Sequence, residues 1–366
     1  MMGPNAEAGR IGTHRYATFR WNGDVMTGSA ILTAATAQEI MSSIGVRCTP
    51  RVTIVNTNNH VYRIHTPEGD FHLKTYTKGW YSPEPAETRG CVMHEASAYR
   101  IVSAHGIPAP RVRLADETCD NPIRRPFLLM ETLPGRPATK ALQAASSRDG
   151  FEAVLRAVGR YMARMHAITF RFPGYLMTED GPTAAPDPDA WQHFIFTIYT
   201  FRKDAFKTWE TDREIAGGLL ERVKQLYAHT EDSLRSEYEP PRFTHGDCHA
   251  HQFFVSDASG EWEVVGVVDM EVASAGDYGF DFVKLGLELA GMFPTGRDWW
   301  TPLFDGYGKE PPFEPMRLRF AACAYDAEYL GPHNWPGQRA LRLAHILDAR
   351  DWASMFDLSD LIEKSR

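Results

Sequence analysis

The pattern of apolar residues changes once along this 366-residue chain, and that change limits the fold more than any other feature. From Arg51 onward, apolar residues alternate in short runs, as in "RVTIVNTNNHVYRIHTPEGDFHLKT" and "RPFLLME". After "TLPGRPA" they recur every three to four residues, as in "GFEAVLRAVGRYMARMHAI". Alternation predicts strands, whereas a period of about 3.6 residues predicts helices. The sequence therefore predicts an α+β protein, with a small β-rich part followed by a larger helical part.

The β-rich part is predicted to contain five strands and two helices. Residues 32–45 predict a helix capped by Thr33 and ended by Gly45. Residues 51–77 predict three antiparallel strands with turns at 56–59 and 66–70, and residues 91–106 predict a second helix. "IPAPRVRLAD" and "RPFLLMETLPG" predict the last two strands. "METLPGRP" is the expected connector, which gives an N-terminal lobe of 1–133 and a C-terminal lobe of 134–366.

Composition excludes some classes of protein and favours others. The net charge of −8 argues against a nucleic-acid partner and is compatible with a cationic substrate. The five cysteines include no C-x-x-C pair, which favours a reducing, cytoplasmic location. The chain has no run of 18 apolar residues and its first 20 residues lack an apolar signal-peptide core, so we expect no membrane segment. Nothing in the pattern specifies an oligomeric state.

Two carboxylates are spaced to meet across a hairpin. Asp247 lies in "HGDCHAHQFFV", and Asp269 ends the apolar strand predicted in "WEVVGVVDM". Carboxylates that converge in this way can divide the work of phosphoryl transfer, because one accepts a proton from the attacking hydroxyl while the other holds magnesium. Mg²⁺ prefers oxygen ligands and keeps several waters, so one or two carboxylates suffice.

A lysine and a glutamate upstream could hold nucleotide phosphates. Lys74 lies on a predicted strand beside apolar Leu73, and a lysine on the inner side of a sheet is costly unless it is paired. Glu95 lies in the first turns of the helix that follows. An ion pair between them could clamp the phosphates of ATP.

The order of these motifs resembles the aminoglycoside phosphotransferase/choline kinase family, a branch of the protein-kinase-like fold. The resemblance rests on the strand lysine, the helix glutamate, "FLLMETLPG", "HGD" and "VVDMEVASAGD", and "YMARMHAI" is similar to a helix of that family. It covers roughly residues 30 to 290 in order. It implies a bilobal fold with the active site in the cleft between a β-rich lobe and a helical lobe.

The resemblance implies ATP, or equally GTP, as phosphoryl donor. Lys74 would contact the α- and β-phosphates and pair with Glu95, and Asn59 would lie in the hairpin that covers the phosphates. The backbone of 130–133 would hold the base; the residues named for this are Met130, Glu131 and Leu133.

On the acceptor side the resemblance implies a catalytic loop. Asp247 would be the catalytic base, and His245 would support the same loop through backbone hydrogen bonds. Asp269 would be the principal Mg²⁺ ligand. Asp277 and Asp281 would be structural or would face the substrate.

One position departs from the family pattern. The family has Asn where this chain has Gln252, and that Asn oxygen helps to bind a metal. Three outcomes are open: Gln252 still binds Mg²⁺ one methylene further out, His249 or His251 replaces it, or one metal site is lost and the enzyme is weak or inactive.

Five residues are candidates for contact with a small, hydroxyl-bearing acceptor. His249 and His251 would face solvent or substrate, and Glu271 would bind metal or hold its loop. Asp326 and Glu328 would bind a substrate amine or form the wet face of a helix.

The sequence thus predicts an ATP- and Mg²⁺-dependent kinase acting on an aminoglycoside-like antibiotic or a related metabolite. Two alternatives stay open at this point. One is a metal-dependent hydrolase built on His245, Asp247, His249, His251 and Asp269. The other is a catalytically silent nucleotide-binding protein of the same fold, for which Gln252 is the motivation.

Overall fold

The computed structural model describes most of the chain. The described residues are 32–56, 60–76, 92–118, 120–182, 217–236, 240–293, 297–314, 317 and 339–359. The N-terminal region contains α1 (Ala34–Ser43), β1 (Arg51–Asn56), β2 (Val61–Thr66), β3 (Gly69–Thr75), α2 (Val92–Ala104), β4 (Val112–Asp116) and β5 (Phe127–Glu131).

The C-terminal region is mainly helical. Its helices are α3 (Ala138–Ala144), α4 (Arg148–His166), α5 (Gly218–Ser236), α6 (Gly279–Met292), α7 (Trp300–Tyr307), α8 (Arg339–Asp348) and α9 (Trp352–Phe356). Its short strands are β6 (Arg136–Pro137), β7 (Gly174–Tyr175), β8 (Arg242–Thr244), β9 (Phe253–Ser256), β10 (Glu263–Val267) and β11 (Ser274–Gly276). The predicted α+β class is confirmed.

The N-terminal strands form one antiparallel sheet in the order β1-β2-β3-β5-β4. Strand β3 is therefore central, and Lys74 pairs with Val61 on one side and Leu128 on the other. Phe71 and Leu73 alternate with other residues along β3 and are buried, so one face of the strand packs against the core. This central position is what takes Lys74 out of water.

The two helices of this region belong to different clusters of buried apolar residues. Helix α1 begins after Thr33, whose side chain accepts the Thr36 N–H, and its apolar face packs with Ile64 and Leu73 in one core cluster. Helix α2 belongs instead to the large core cluster that continues through the helical region. The structure gives no test of the predicted lobe boundary at 133/134, which stays a prediction.

Helix α4 is the central support of the helical region. It begins at Arg148, two residues before the predicted start, because the Ser147 side chain accepts the Gly150 N–H and caps the helix. Helix α7 crosses it at a glycine contact, since a Cβ at Gly159 would lie 2.1 Å from the Leu303 carbonyl oxygen. The small residue lets the two backbones touch.

One β-hairpin connects the site residues. Strands β9 and β10 pair antiparallel, with Phe253 opposite Val267. The "HGD" loop therefore enters this hairpin at the same end at which Asp269 leaves it. None of the helices that the described ranges contain is long and apolar enough to cross a membrane.

Candidate active site

Lys74 lies at the centre of a group of carboxylates, which we call the lysine cluster (Lys74, Glu95, Asp269 and Glu271). Its Nζ is 2.9 Å from Glu95 Oε2, 2.8 Å from Asp269 Oδ1 and 3.0 Å from Glu271 Oε2. Lys74 is 5% exposed and Glu95 is fully buried. A buried ammonium group is stable only with such partners. One cation thus joins β3, α2 and the segment after β10.

Two tyrosines complete the surroundings of Glu95. The Tyr76 hydroxyl donates to Glu95 Oε2, and the Tyr99 hydroxyl donates to Oε1 at 3.0 Å. Tyr99 also accepts the N–H of Asp269 at 2.9 Å. Tyr99 is four residues after Glu95, so the two side chains share one face of α2. This spacing is the signal by which Tyr99 could have been found in the sequence.

The charges in the lysine cluster do not balance. Burial lowers the pKa of Lys74, but Glu95 and the other nearby negative charges outweigh burial and hold it well above the usual value. Burial, together with the repulsion of Asp269 and Glu95, raises the pKa of Glu271 to about 7. Three carboxylates therefore compete for one ammonium group.

This excess of negative charge suits a divalent cation. Asp269 and Glu271 both present oxygen atoms, which Mg²⁺ prefers, and the Asp269 side chain is 34% exposed. Burial raises the pKa of Asp269, but the charge of Lys74 outweighs it and keeps the carboxyl ionised. The donor set therefore fits the metal that the sequence implies.

The backbone of Asp269 is strained. The residue was expected to end the strand, but β10 ends at Val267 and Asp269 lies two residues later in the left-handed region, at φ 68°. A residue with a Cβ is uncommon there, and such strain is frequent at functional sites. The bond from its N–H to Tyr99 holds the turn and directs the carboxylate toward Lys74.

A buried aspartate holds the backbone of the "HGD" loop through hydrogen bonds. Asp281, at the start of α6, accepts the N–H groups of His245 and Gly246, both at 2.8 Å, and lies 3.1 Å from Nε2 of His166. Of the two functions left open for Asp281, this is the structural one. Gly246 has φ 81°, and a Cβ there would lie 2.5 Å from the Val272 carbonyl oxygen.

His245 supports the loop from inside. The side chain is buried, its Nε2 is 3.0 Å from the Val268 carbonyl oxygen, and its Nδ1 is 3.4 Å from the Asp247 N–H. Nε2 therefore carries the proton, and Nδ1 accepts. The ring connects the "HGD" loop to the residues before Asp269, and in the arrangement described it does not face the other loop histidines.

Asp247 points toward a separate set of charged side chains, which we call the loop cluster (Asp247, His249, His251, Lys284 and Glu288). Asp247 Oδ1 is 3.3 Å from Lys284 Nζ and 3.3 Å from His249 Nε2. Burial raises the pKa of Asp247, but the hydrogen bond from His249 and the charge of Lys284 bring it well below the usual value. Asp247 is near enough to raise the pKa of Asp269 by repulsion.

Gln252 ends a short 3-10 helix (Ala250–Gln252) and is almost fully buried. Its Oε1 accepts the His249 N–H at 2.9 Å. The side chain thus closes the turn that carries both loop histidines. An amide oxygen has two lone pairs, so this hydrogen bond leaves one of them for a metal ion. The metal role predicted for Gln252 stays a prediction.

Glu288 is a site residue that sequence reasoning missed. One carboxylate oxygen accepts the Ala250 N–H, and Oε1 is 2.9 Å from His251 Nδ1. Lys284 precedes it by four residues, so both point from one face of α6 to the loop. Nothing in the local sequence marks this face, because its partners are more than 30 residues away.

The predicted base-binding segment lies at the end of β5. Met130 is buried within the sheet, and Leu133 lies against Gly266. Glu131 forms an ion pair with Arg113 at 2.8 Å, and its N–H donates to the Arg111 carbonyl. Three further predicted residues lie outside the described part of the chain: Asn59, Asp326 and Glu328.

The fold is similar to that of three solved proteins described as kinases or phosphotransferases. A protein of Ralstonia eutropha JMP134 classed as an aminoglycoside phosphotransferase is 14% identical, with 90% of this chain and 98% of that chain covered and a TM-score of 0.55. The streptomycin–ATP complex of APH(2")-IIa is 13% identical, with 91% and 96% covered and a TM-score of 0.52. Plasmodium vivax ethanolamine kinase is 12% identical, with 90% and 86% covered and a TM-score of 0.50.

These likenesses establish a protein-kinase-like fold and confirm that prediction. The model of the APH family, described as the phosphotransferase enzyme family, matches residues 54–320, which is more than half of the chain. The match confirms the predicted resemblance and the predicted enzyme class. The chain therefore belongs to the phosphotransferase enzyme family.

Proposed function

We propose that the protein transfers the γ-phosphoryl group of ATP to a hydroxyl group of a small, amine-bearing molecule, an aminoglycoside-like antibiotic or a related metabolite. The observation that carries the proposal is the convergence of Lys74 with Glu95 and Asp269, while Asp247 lies beside that cluster on a rigid loop. Phosphoryl transfer needs this separation of a phosphate-binding cation from a proton acceptor.

On the donor side Lys74 binds the α- and β-phosphates and is oriented by Glu95. The N–H groups of Glu131 and Thr132 already donate to Arg111 and Asp70. Adenine contacts are therefore expected from the Glu131 carbonyl and the Leu133 N–H. Because these are backbone groups, their identity does not by itself select ATP over GTP.

On the metal side Asp269 is the principal ligand, with Glu271 beside it and Gln252 as a further oxygen donor. Mg²⁺, when bound, neutralises charge that develops on the transferred group. It would also relieve the repulsion that raises the pKa of Glu271.

On the acceptor side Asp247 orients the attacking hydroxyl and takes its proton. The hydroxyl oxygen forms a bond to the γ-phosphorus as the bond to the ADP oxygen breaks. The low pKa of Asp247 suits a carboxylate that holds the hydroxyl first and accepts the proton late, in a loose transition state. Carboxylates of the loop cluster, and the net charge of −8, favour a cationic acceptor.

The test is a screen of amine-bearing and neutral alcohols, with ADP release from ATP as the readout and Mg²⁺ present. We expect one class of cationic acceptor to stimulate ADP release and the Asp247→Ala variant to lose that stimulation while it still binds ATP. Full stimulation in Asp247→Ala would refute the assignment of the base. ATP binding without ADP release for any acceptor would favour the silent nucleotide-binding alternative.

A further inference from the structure

We infer that His249, His251 and Glu288 form a binding site for one divalent transition-metal ion, Zn²⁺ above all, distinct from the Mg²⁺ site at Asp269. Within the described ranges, these three residues are the group whose ligand atoms all lie within 4.8 Å of one another. Two imidazoles beside a carboxylate form a donor set that zinc prefers, whereas magnesium prefers oxygen ligands alone.

The distances place the three side chains within reach of one metal ion. His251 Nδ1 is 2.9 Å from one oxygen of Glu288, and His249 Nδ1 is 3.8 Å from the other. Two ligand atoms about 2.1 Å from a tetrahedral zinc ion lie about 3.4 Å apart. The 2.9 Å separation is that of a hydrogen bond, whereas 3.8 Å is too long for one, and shifts of about 0.5 Å would bring both separations to that ligand spacing.

The backbone already holds the ligands in place. Gln252 closes the turn between the two histidines, and the Ala250 N–H donates to the Glu288 carboxylate. The two rings are nearly parallel, with centroids 5.2 Å apart. His249 and Glu288 are largely buried, whereas the His251 side chain is 55% exposed. A metal ion therefore has an open route from solvent and one coordination position left for water.

Asp247 supplies the outer partner that a zinc-bound histidine needs. With His249 Nδ1 on the metal, its proton resides on Nε2, which lies 3.3 Å from Asp247 Oδ1. Metal-binding histidines usually donate this second N–H to a carboxylate, which fixes the tautomer and the ring orientation. The observed contact provides that arrangement without any movement of the loop.

The shared histidine links the metal site to catalysis. A metal-bound imidazole is a stronger hydrogen-bond donor, so zinc on His249 would hold Asp247 and withdraw it from the acceptor hydroxyl. Zinc is then an inhibitor of phosphoryl transfer. This consequence rests on the proposed function, whereas zinc binding itself does not.

Binding is tested with the full chain after dialysis against a chelator, by titration calorimetry with ZnCl₂ and by metal analysis. We expect one zinc per chain, no displacement by excess Mg²⁺, and affinity at least about tenfold weaker in both His251→Ala and Glu288→Gln. Glu288→Gln keeps an acceptor for the Ala250 N–H, and His251 is exposed, so both variants should fold. Circular dichroism checks that they do.

The matched control is His65→Ala. His65 also pairs with one carboxylate, since its Nδ1 is 3.1 Å from Asp70 Oδ1, but that carboxylate's other ion-pair partner is Arg63 rather than a histidine. Zinc binding should be unchanged there. Absence of zinc binding at tens of micromolar in the native protein, or full binding in both His251→Ala and Glu288→Gln, would overturn the site. Zinc that binds without slowing ADP release would overturn the inhibition alone.

Discussion

The lysine cluster and the loop cluster hold their carboxylates in opposite ways. In the lysine cluster Lys74 and Glu95 are buried, and the one ammonium joins three parts of the chain through side-chain hydrogen bonds. In the loop cluster the backbone is fixed from below by Asp281, while the side chains of Asp247 and Lys284 stay 38% and 30% exposed. Substitutions in the lysine cluster should therefore lower the free energy of unfolding. Substitutions in the loop cluster should lower turnover and leave the free energy of unfolding nearly unchanged.

The largest effect is expected in the loop cluster. Asp247→Asn should lower kcat about 10³-fold, or about 4 kcal/mol in the activation free energy, because the amide cannot accept the hydroxyl proton. The free energy of unfolding should change by less than about 0.5 kcal/mol, since the side chain is partly exposed. ADP release and urea unfolding measure the two quantities. A large loss of stability would contradict the comparison.

The next effect belongs to the lysine cluster. Glu95→Ala should lower the free energy of unfolding by about 3 kcal/mol, because Lys74, Tyr76 and Tyr99 each lose a buried hydrogen-bond partner in the core. Urea unfolding followed by fluorescence measures this. Glu152→Ala is the control, since Glu152 pairs only with Arg148 and Arg156 on the surface of α4, and it should leave the midpoint nearly unchanged. Equal losses of unfolding free energy in the two variants would mean that the burial of Glu95 does not add to its contribution to stability.

A smaller effect distinguishes a positioning role of Tyr99 from a packing role. Tyr99→Phe should lower the free energy of unfolding by about 1 to 2 kcal/mol and raise the KM for ATP, because Glu95 and the Asp269 N–H both lose a partner. Tyr161→Phe removes an equally buried hydroxyl that donates to the Pro108 carbonyl, away from the cluster. It should lower stability to a similar extent and leave the KM for ATP unchanged. A parallel rise in KM for both variants would assign Tyr99 a packing role only.

The smallest effect concerns the position at which this chain departs from its family. Gln252→Asn should lower the free energy of unfolding by about 1 kcal/mol, because the shorter amide no longer reaches the His249 N–H. Turnover should fall by less than tenfold. Gln252→Glu retains the reach and should keep the turn closed. Unchanged stability with raised turnover in Gln252→Asn would mean that the amide serves only as a metal ligand and does not hold the turn.

Much of the architecture was predictable because local patterns decide it. Alternation along 51–75 specified the strands, and Thr33 and Gly45 bounded the first helix as expected. The start of α4 was missed by two residues because the cap at Ser147 lies outside the apolar pattern. The strained turn at Asp269 was missed as well, since only the bond from its N–H to Tyr99, far away in the chain, favours that conformation.

The sequence by itself determined the fold class, the family and part of the set of charged residues near the site, namely Lys74, Glu95, Asp247 and Asp269, but not Lys284 or Glu288. These follow from periodicity and from motifs whose members are close together in the chain. Only the tertiary structure decided which charges meet: that Glu271 joins Lys74, that Asp281 holds the loop, and that Glu288 faces His251. Such pairs join segments distant in sequence, and their interaction depends on burial and distance, which a linear pattern does not contain.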